Sequence, residues 1–223
     1  MNSLMIPANS IIALLLAYLL GSIPTAVWLG KIFYGIDIRE YGSGNAGATN
    51  TFRVLGKKAG IPVMLIDMLK GFAATNIAFI FSINNPGTIP FINFQLSLGI
   101  TAVMGHIFPV YAGFRGGKGI ATLFGMILAI QSEAAMYCVV VFVVMLLLTR
   151  YVSLSSMMAS FAYPIVIIFV IKEPVRSVVL FGICVCVLVL ITHQKNIERL
   201  LKGKEGKANL FRKKSQTLPD SEK

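Results

Sequence analysis

Three polar, glycine-rich stretches of this 223-residue chain hold residue types suited to gripping an anion. The first is Gly42-Ser43-Gly44-Asn45-Ala46-Gly47-Ala48-Thr49-Asn50, followed by Arg53. Glycines at alternating or near-alternating positions let successive backbone N–H groups turn into one concavity. Ser43, Asn45, Thr49 and Asn50 add neutral donors, and Arg53 adds a rigid fork that matches phosphate oxygens. If Thr49 opens a helix, Arg53 lies one turn further along the same face. The string carries no carboxylate, which favours an anion site over the alternative of a flexible loop.

The second stretch is Gly105-His106-Ile107-Phe108-Pro109, then Gly113-Phe114-Arg115-Gly116-Gly117-Lys118-Gly119-Ile120-Ala121-Thr122. Glycines around a lysine, opening directly into an apolar run, bring backbone donors, a helix N-terminus and an ammonium to one point. The GxxxxGK[ST] spacing of a P-loop is absent, so no nucleotide is implied. A tight turn with two snorkelling cations is the alternative. The third stretch is split. Ser153, Ser155 and Ser156 follow Arg150, while His193, Asn196, Glu198 and Arg199 close the last apolar run, with Glu205 beyond. His193 and Asn196 are three apart and share a helical face. Asp67 and Lys70 also share a face inside an apolar run, as a functional pair or a structural clamp. Two anion sites beside a greasy slot would suit the joining of a phosphorylated water-soluble molecule to a lipid-like one.

The elements that must position these groups are membrane helices. The chain is 56% hydrophobic and 13% charged, with a mean hydropathy of +0.78, whereas soluble domains sit near about 45–50% and about 25%. A soluble enzyme, a disordered chain and a disulfide scaffold are excluded. Apolar runs between breakers predict seven spans: Ile11–Tyr34, Gly60–Ile83, Phe94–Gly113, Gly119–Ser132, Ala134–Thr149, Met157–Ile171 and Ser177–Thr192. The short run Gly119–Ser132 would also suit a re-entrant segment. Loops are expected at Gly35–Ala59, Asn84–Asn93, Phe114–Lys118, Gln131–Glu133, Arg150–Ser156 and Lys172–Arg176. Seven spans of about 20 residues leave no room for a large extramembrane domain. The expectation is therefore one membrane-embedded domain over residues 1–205 and a basic, disordered tail over 206–223.

Charge orients the bundle. With the N-terminus outside and seven crossings, all of the 20 Lys and Arg residues except Lys172 and Arg176 fall inside, as the positive-inside rule demands. The net charge of +11 then reflects membrane orientation, and nucleic acid is not a partner. All three polar stretches fall at the inner face. No inverted repeat relates the halves. Met1–Ser10 has no Lys or Arg, unlike a cleaved signal peptide, so the first run reads as a retained helix. Cys138, Cys184 and Cys186 lie in apolar runs without CxxC spacing and read as small hydrophobes.

In these strings the sequence resembles the bacterial acyl-phosphate:glycerol-3-phosphate acyltransferase family of the PlsY type. The resemblance rests on GSIPTA (21–26), GSGNAGATN with Arg53, DMLKG (67–71), GHIFPVYAGFRGGKGIAT (105–122), SLSS (153–156) and HQKNIERLLKGKE (193–205), in order from about Leu19 to Glu205. It implies an all-α integral membrane enzyme of seven helices in the bacterial plasma membrane, its active site facing the cytoplasm. Such enzymes move a fatty acyl group from acyl phosphate to the 1-hydroxyl of sn-glycerol 3-phosphate, releasing lysophosphatidic acid and phosphate in the first step of phospholipid synthesis. The resemblance implies no metal or organic cofactor, and as partners the two substrates, membrane lipids and the enzyme that makes acyl phosphate.

By resemblance Ser43, Asn45, Arg53, Lys118, Ser155, Ser156, His193 and Asn196 line the site. On this reading Ser43, Asn45, His193 and Asn196 are catalytic. Substrate is bound by Gly44, Thr49, Asn50, Arg53, Gly116, Gly117, Lys118, Gly119, Thr122, Ser155 and Ser156, while Glu205, Asp67 and Lys70 are structural. An acyl phosphate is already activated, so the protein must gather two anions, align a hydroxyl with a carbonyl and stabilise an oxyanion. His193 is the first candidate base and His106 the second, with the donor's own phosphate as the favoured acceptor. A transporter of a phosphate-bearing solute is the alternative, but transport sites lie near the midplane between repeats. A structural membrane subunit with a lipid-binding tail leaves the glycine loops without a purpose.

Overall fold

The structure, a computed structural model, describes residues 8–208; the start of the chain (1–7) and the tail from 209 lie outside the described residues. The retained-leader and disordered-tail expectations therefore fall largely outside them. Every regular element among the described residues is helical. The first apolar run is two helices, α1 (Ala8–Gly21) and α2 (Thr25–Tyr34), bent by 40°. Pro24 breaks it by lacking an N–H, and at the bend the Ile23 carbonyl accepts from Thr25 N at 3.0 Å and from Lys70 Nζ at 2.8 Å.

The segment expected to be one long loop, Gly35–Ala59, contains a 3₁₀ turn (Ile38–Glu40) and the short helix α3 (Ala48–Val54), and α4 (Lys57–Asn76) starts before its end. Thr49, Asn50, Thr51 and Val54 mask this helix in the sequence, because they are weak helix formers individually. α5 (Ala78–Phe81) prolongs α4. Next come α6 (Ile89–Ile107), a 3₁₀ turn (Val110–Ala112), α7 (Ile120–Ile130) and α8 (Ser132–Thr149). α9 (Val152–Ile165) contains Pro164 and continues as a π-turn over Val166–Val170, where the missing N–H widens the winding. α10 (Arg176–Thr192) and the amphipathic α11 (Gln194–Leu201) meet at a 63° bend.

Among the described residues, four runs are long and apolar enough to cross a membrane, or up to six if each bent pair is one span. Only 17% of the apolar window of α8 is buried inside the protein, so the remainder is left to lipid. α7 is shorter than a full crossing, about 16 Å at 1.5 Å per residue. It nonetheless ends level with the α9–α10 connection, where Gln131 Nε2 donates to Glu173 Oε2. Successive runs alternate between two ends of the bundle. Ser82–Thr88, Gln131 and the α9–α10 connection lie at one end, and all three polar clusters lie at the other.

Close packing replaces hydrophobic drive between helices in lipid. At Gly71 on α4 an added Cβ would sit 2.0 Å from Thr122 O on α7, and at Gly125 on α7 it would sit 1.9 Å from Met68 O. These two backbones therefore touch, and α7 is clamped to α4. α1 meets α6 in the same way, through Gly21 against the Ala102 carbonyl.

Candidate active site

The first loop is shaped by Asn50, which is 1% exposed. Its Oδ1 accepts from Ser43 N at 2.8 Å, and its Nδ2 donates to the carbonyls of Ile38 and Tyr41 at 3.0 Å each. With those groups engaged internally, Asn50 holds the loop rather than facing outward. Gly42 (φ +63°) and Gly44 (φ +72°) take left-handed conformations that let the chain fold round this amide. Ser43 and Asn45 are half-buried, Gly44, Thr49 and Arg53 are exposed, and no side chain among the described residues hydrogen-bonds the side chains of Ser43, Asn45, Thr49 or Arg53. Arg53 follows Thr49 by one turn on α3, as the spacing anticipated.

In the second loop the amides of Gly116 and Gly117 donate to Ile107 O and His106 O, both at 3.2 Å. They close the end of α6 and are not free donors for an anion. Glycine is needed here for close approach, since a Cβ at Gly116 would lie 2.0 Å from His106 O and one at Gly117 would lie 2.2 Å from His106 Nε2. Gly119, at φ +79°, starts α7, whose first-turn amides point out of the helix end as a cradle for negative charge. Thr122 is fully buried, with Oγ1 3.0 Å from His106 Nδ1.

Lys118 leaves this loop to meet the third cluster, its ammonium donating to Asn196 Oδ1. Asn196 Nδ2 donates to Glu205 Oε1 at 2.6 Å, and the same oxygen accepts from Ser153 Oγ at 2.9 Å. Arg199 Nε donates to Glu205 Oε2 at 2.7 Å. Glu205 thus joins α9 to α11, and Gly206 lies against the Arg53 guanidinium. Ser153, Ser155 and Ser156 are not in a loop as expected. Arg150 ends α8 in a left-handed conformation, and α9 begins at Val152. The hydroxyls of Ser155 and Ser156 bond the carbonyls of Tyr151 and Val152 four residues back, which is how serine is accommodated inside a helix.

Electrostatics follow from this crowding. Burial pushes Lys118 down to about 8, with Arg199 and Arg53 pressing the same way against the pull of Glu205. Burial works to raise Glu205, but hydrogen bonds from Arg199, Asn196 and Ser153 hold it below the usual carboxylate range. His193, just past the end of α10, is 2% exposed and is pushed down to about 4 by burial and the nearby Lys118 charge. Its Nδ1 lies 2.8 Å from Val189 O. A carbonyl only accepts, so Nδ1 carries the proton and Nε2 keeps its lone pair.

A profile of the family described as glycerol-3-phosphate acyltransferase matches residues 11–203. The chain belongs to the glycerol-3-phosphate acyltransferase family. It is similar to the glycerol-3-phosphate acyltransferase of Listeria monocytogenes, 46% identical over 199 residues, covering 89% of this chain and 96% of the relative. The Enterococcus faecalis acyltransferase is 42% identical, with 88% and 91% covered. Among solved structures, PlsY, an integral membrane glycerol 3-phosphate acyltransferase, superposes in its glycerol 3-phosphate form with a TM-score of 0.78 at 36% identity, covering 90% of this chain and 96% of that one. Its lysophosphatidic acid form gives 0.75.

The acyltransferase cluster includes residues that sequence reading passed over. Ser153 was grouped with its neighbours, yet it is the serine that holds Glu205. Arg199, on α11, pairs with Glu205, and Arg39 does more than add positive charge. Arg39 forms a two-pronged bond to Asp37, with Nε at 2.9 Å and Nη2 at 2.7 Å, and reaches the second loop through Ala112 O. Asp67 and Lys70 lie inside the bundle as an ion pair at 2.9 Å, away from the Lys118–Glu205 cluster.

Proposed function

We propose that this acyltransferase uses acyl phosphate as donor and acylates the 1-hydroxyl of sn-glycerol 3-phosphate. The observation that supports this most directly is the meeting of Arg53 and Lys118 with the His193–Asn196 edge, two cations beside neutral donors at one end of the bundle. Arg53, with Ser43, Asn45 and Thr49, faces one anion, and Lys118 with the first turn of α7 faces the other. The hydroxyl oxygen attacks the acyl carbonyl, the carbonyl–phosphate bond breaks, and inorganic phosphate leaves. The oxyanion that forms between is stabilised by donors already fixed in place.

The proton goes to the departing phosphate. An imidazole at about 4 is a weaker base than a phosphate dianion, whose second ionisation is near about 6. Burial of the imidazole favours a role for His193 in orienting substrate through Nε2 over one in removing the proton. The mixed anhydride supplies its own activation, so this chemistry calls for no cofactor. The charge distribution supports an N-out, C-in arrangement in a bacterial plasma membrane, with this end of the bundle in the cytoplasm. Gathering of the polar groups at one end, away from the midplane, disfavours transport.

The test is purified protein in detergent or nanodiscs given glycerol 3-phosphate with acyl phosphate, or with the corresponding acyl-CoA. Lysophosphatidate and phosphate should appear in equal amounts from acyl phosphate alone. Equal or faster turnover of acyl-CoA overturns the donor assignment.

A further inference from the structure

His106 takes no part in that chemistry, yet it is 6% exposed and touched on every side. Nδ1 faces Thr122 Oγ1 at 3.0 Å on α7 and Asp67 Oδ1 at 3.7 Å on α4. Nε2 faces Gly117, close enough that a Cβ there would lie 2.2 Å away, and the Ala46 carbonyl of the first loop approaches the same point, 3.1 Å from such a Cβ. The His106 carbonyl accepts the Gly117 amide. Beneath the ring, Asp67 Oδ1 accepts from Thr25 Oγ1 at 3.0 Å and pairs with Lys70, whose Nζ caps Ile23 O at the bend of the first span. A continuous set of contacts thus runs from the α1–α2 bend to the residue next to Lys118.

We propose that His106 is a positioning residue, its imidazole forming the floor on which the Gly116–Lys118 turn rests, tied by Thr122 and the Asp67–Lys70 pair to the bend in the first span. A flat ring with bonding atoms on two edges keeps that floor at one height. The height of Gly117 fixes where the Lys118 stem begins and so whether its ammonium reaches Asn196. Gly117 is then glycine because it lies directly on the ring. This inference rests on the proposed role of Lys118 in holding substrate.

The experiment is a double-mutant cycle of Gly117→Ala and His106→Asn, with kcat and KM for glycerol 3-phosphate measured on folded, monodisperse protein. His106→Asn keeps a polar group near Thr122 and removes the ring atoms under Gly117. Gly117→Ala alone should raise KM more than it lowers kcat. In the His106→Asn background its penalty should shrink by about tenfold, within the range of contacting pairs. Penalties that simply multiply overturn the proposal. Thr122→Val, which removes only the hydroxyl against Nδ1, is the independent variant: KM should rise several-fold with kcat within about twofold, and an unchanged KM also overturns it. Wild-type protein that makes no lysophosphatidate from acyl phosphate refutes the donor assignment instead, and is told apart because it needs no variant.

Discussion

Arg39 Nη1 donates to the Ala112 carbonyl at 2.8 Å across 73 residues of chain, while Asp37 grips the same guanidinium from below. This fork fixes the distance between the two glycine loops. The neighbouring arginine holds Asp37 well below the usual carboxylate range, so the pair stabilises the fold above the ordinary carboxylate pKa. That stability is lost as pH falls through the depressed value. Arg39→Ala leaves Asp37 with only the exposed Lys31 ammonium, 3.3 Å away, and its own turn's backbone N–H as partners, and should cost about 1 kcal/mol. Arg39→Lys should recover only part of this, because an ammonium cannot fork. Thermal unfolding in detergent at pH 7 checks both.

Glu205→Gln removes the charge that pairs with Arg199 while keeping an acceptor for Ser153 and Asn196. Activity should fall roughly tenfold, since Asn196 loses a charge-assisted bond and with it some hold on Lys118. The wild-type Tm should drop as pH falls through the depressed Glu205 value, because the ionised form is the one bonded in the folded state. The glutamine variant should show a flatter Tm profile over the same range, and identical profiles would refute the role of the Glu205 charge in joining α9 to α11.

Lys118, pushed down to about 8, should impose an alkaline limb on kcat/KM for the free enzyme near that pH. The ammonium is present below this value and lost above it, so binding of an anion weakens as pH rises. Lys118→Arg should remove the limb, as guanidinium stays charged throughout. A limb that persists in the arginine variant belongs to another group.

If the leaving phosphate takes the proton, His193→Asn and His193→Gln should keep kcat within about tenfold and raise KM. A base would instead give a fall in kcat of about 10²–10⁴-fold with KM intact. A pH–rate series on wild type and His193→Asn distinguishes the two.

Apolar runs of helical length were legible as helices, whose ends fall at glycine or proline in some places and at Gln131, Arg150 and His193 in others. The bend at Pro24 and the π-turn after Pro164 lie inside such runs and leave the hydropathy unchanged, so they passed unseen. Arg53 one turn beyond Thr49 was readable from spacing alone. Gly116 and Gly117 were not, because a glycine that frees an amide and a glycine that admits a neighbour look the same in a sequence. The Asp37–Arg39 fork was overlooked because residues two apart face each other only in a tight turn. The partners of Glu205 are set by tertiary packing, which brings Ser153 to it across 52 residues.

Glu205 is also the last member of its cluster to be synthesised. Until it arrives, Ser153, Asn196 and Arg199 lack the acceptor that orders them, although every apolar run has already been made. Insertion and competence are thus separate events in the life of the molecule. A chain interrupted before Glu205 would be a membrane-lodged bundle with its cations unarranged.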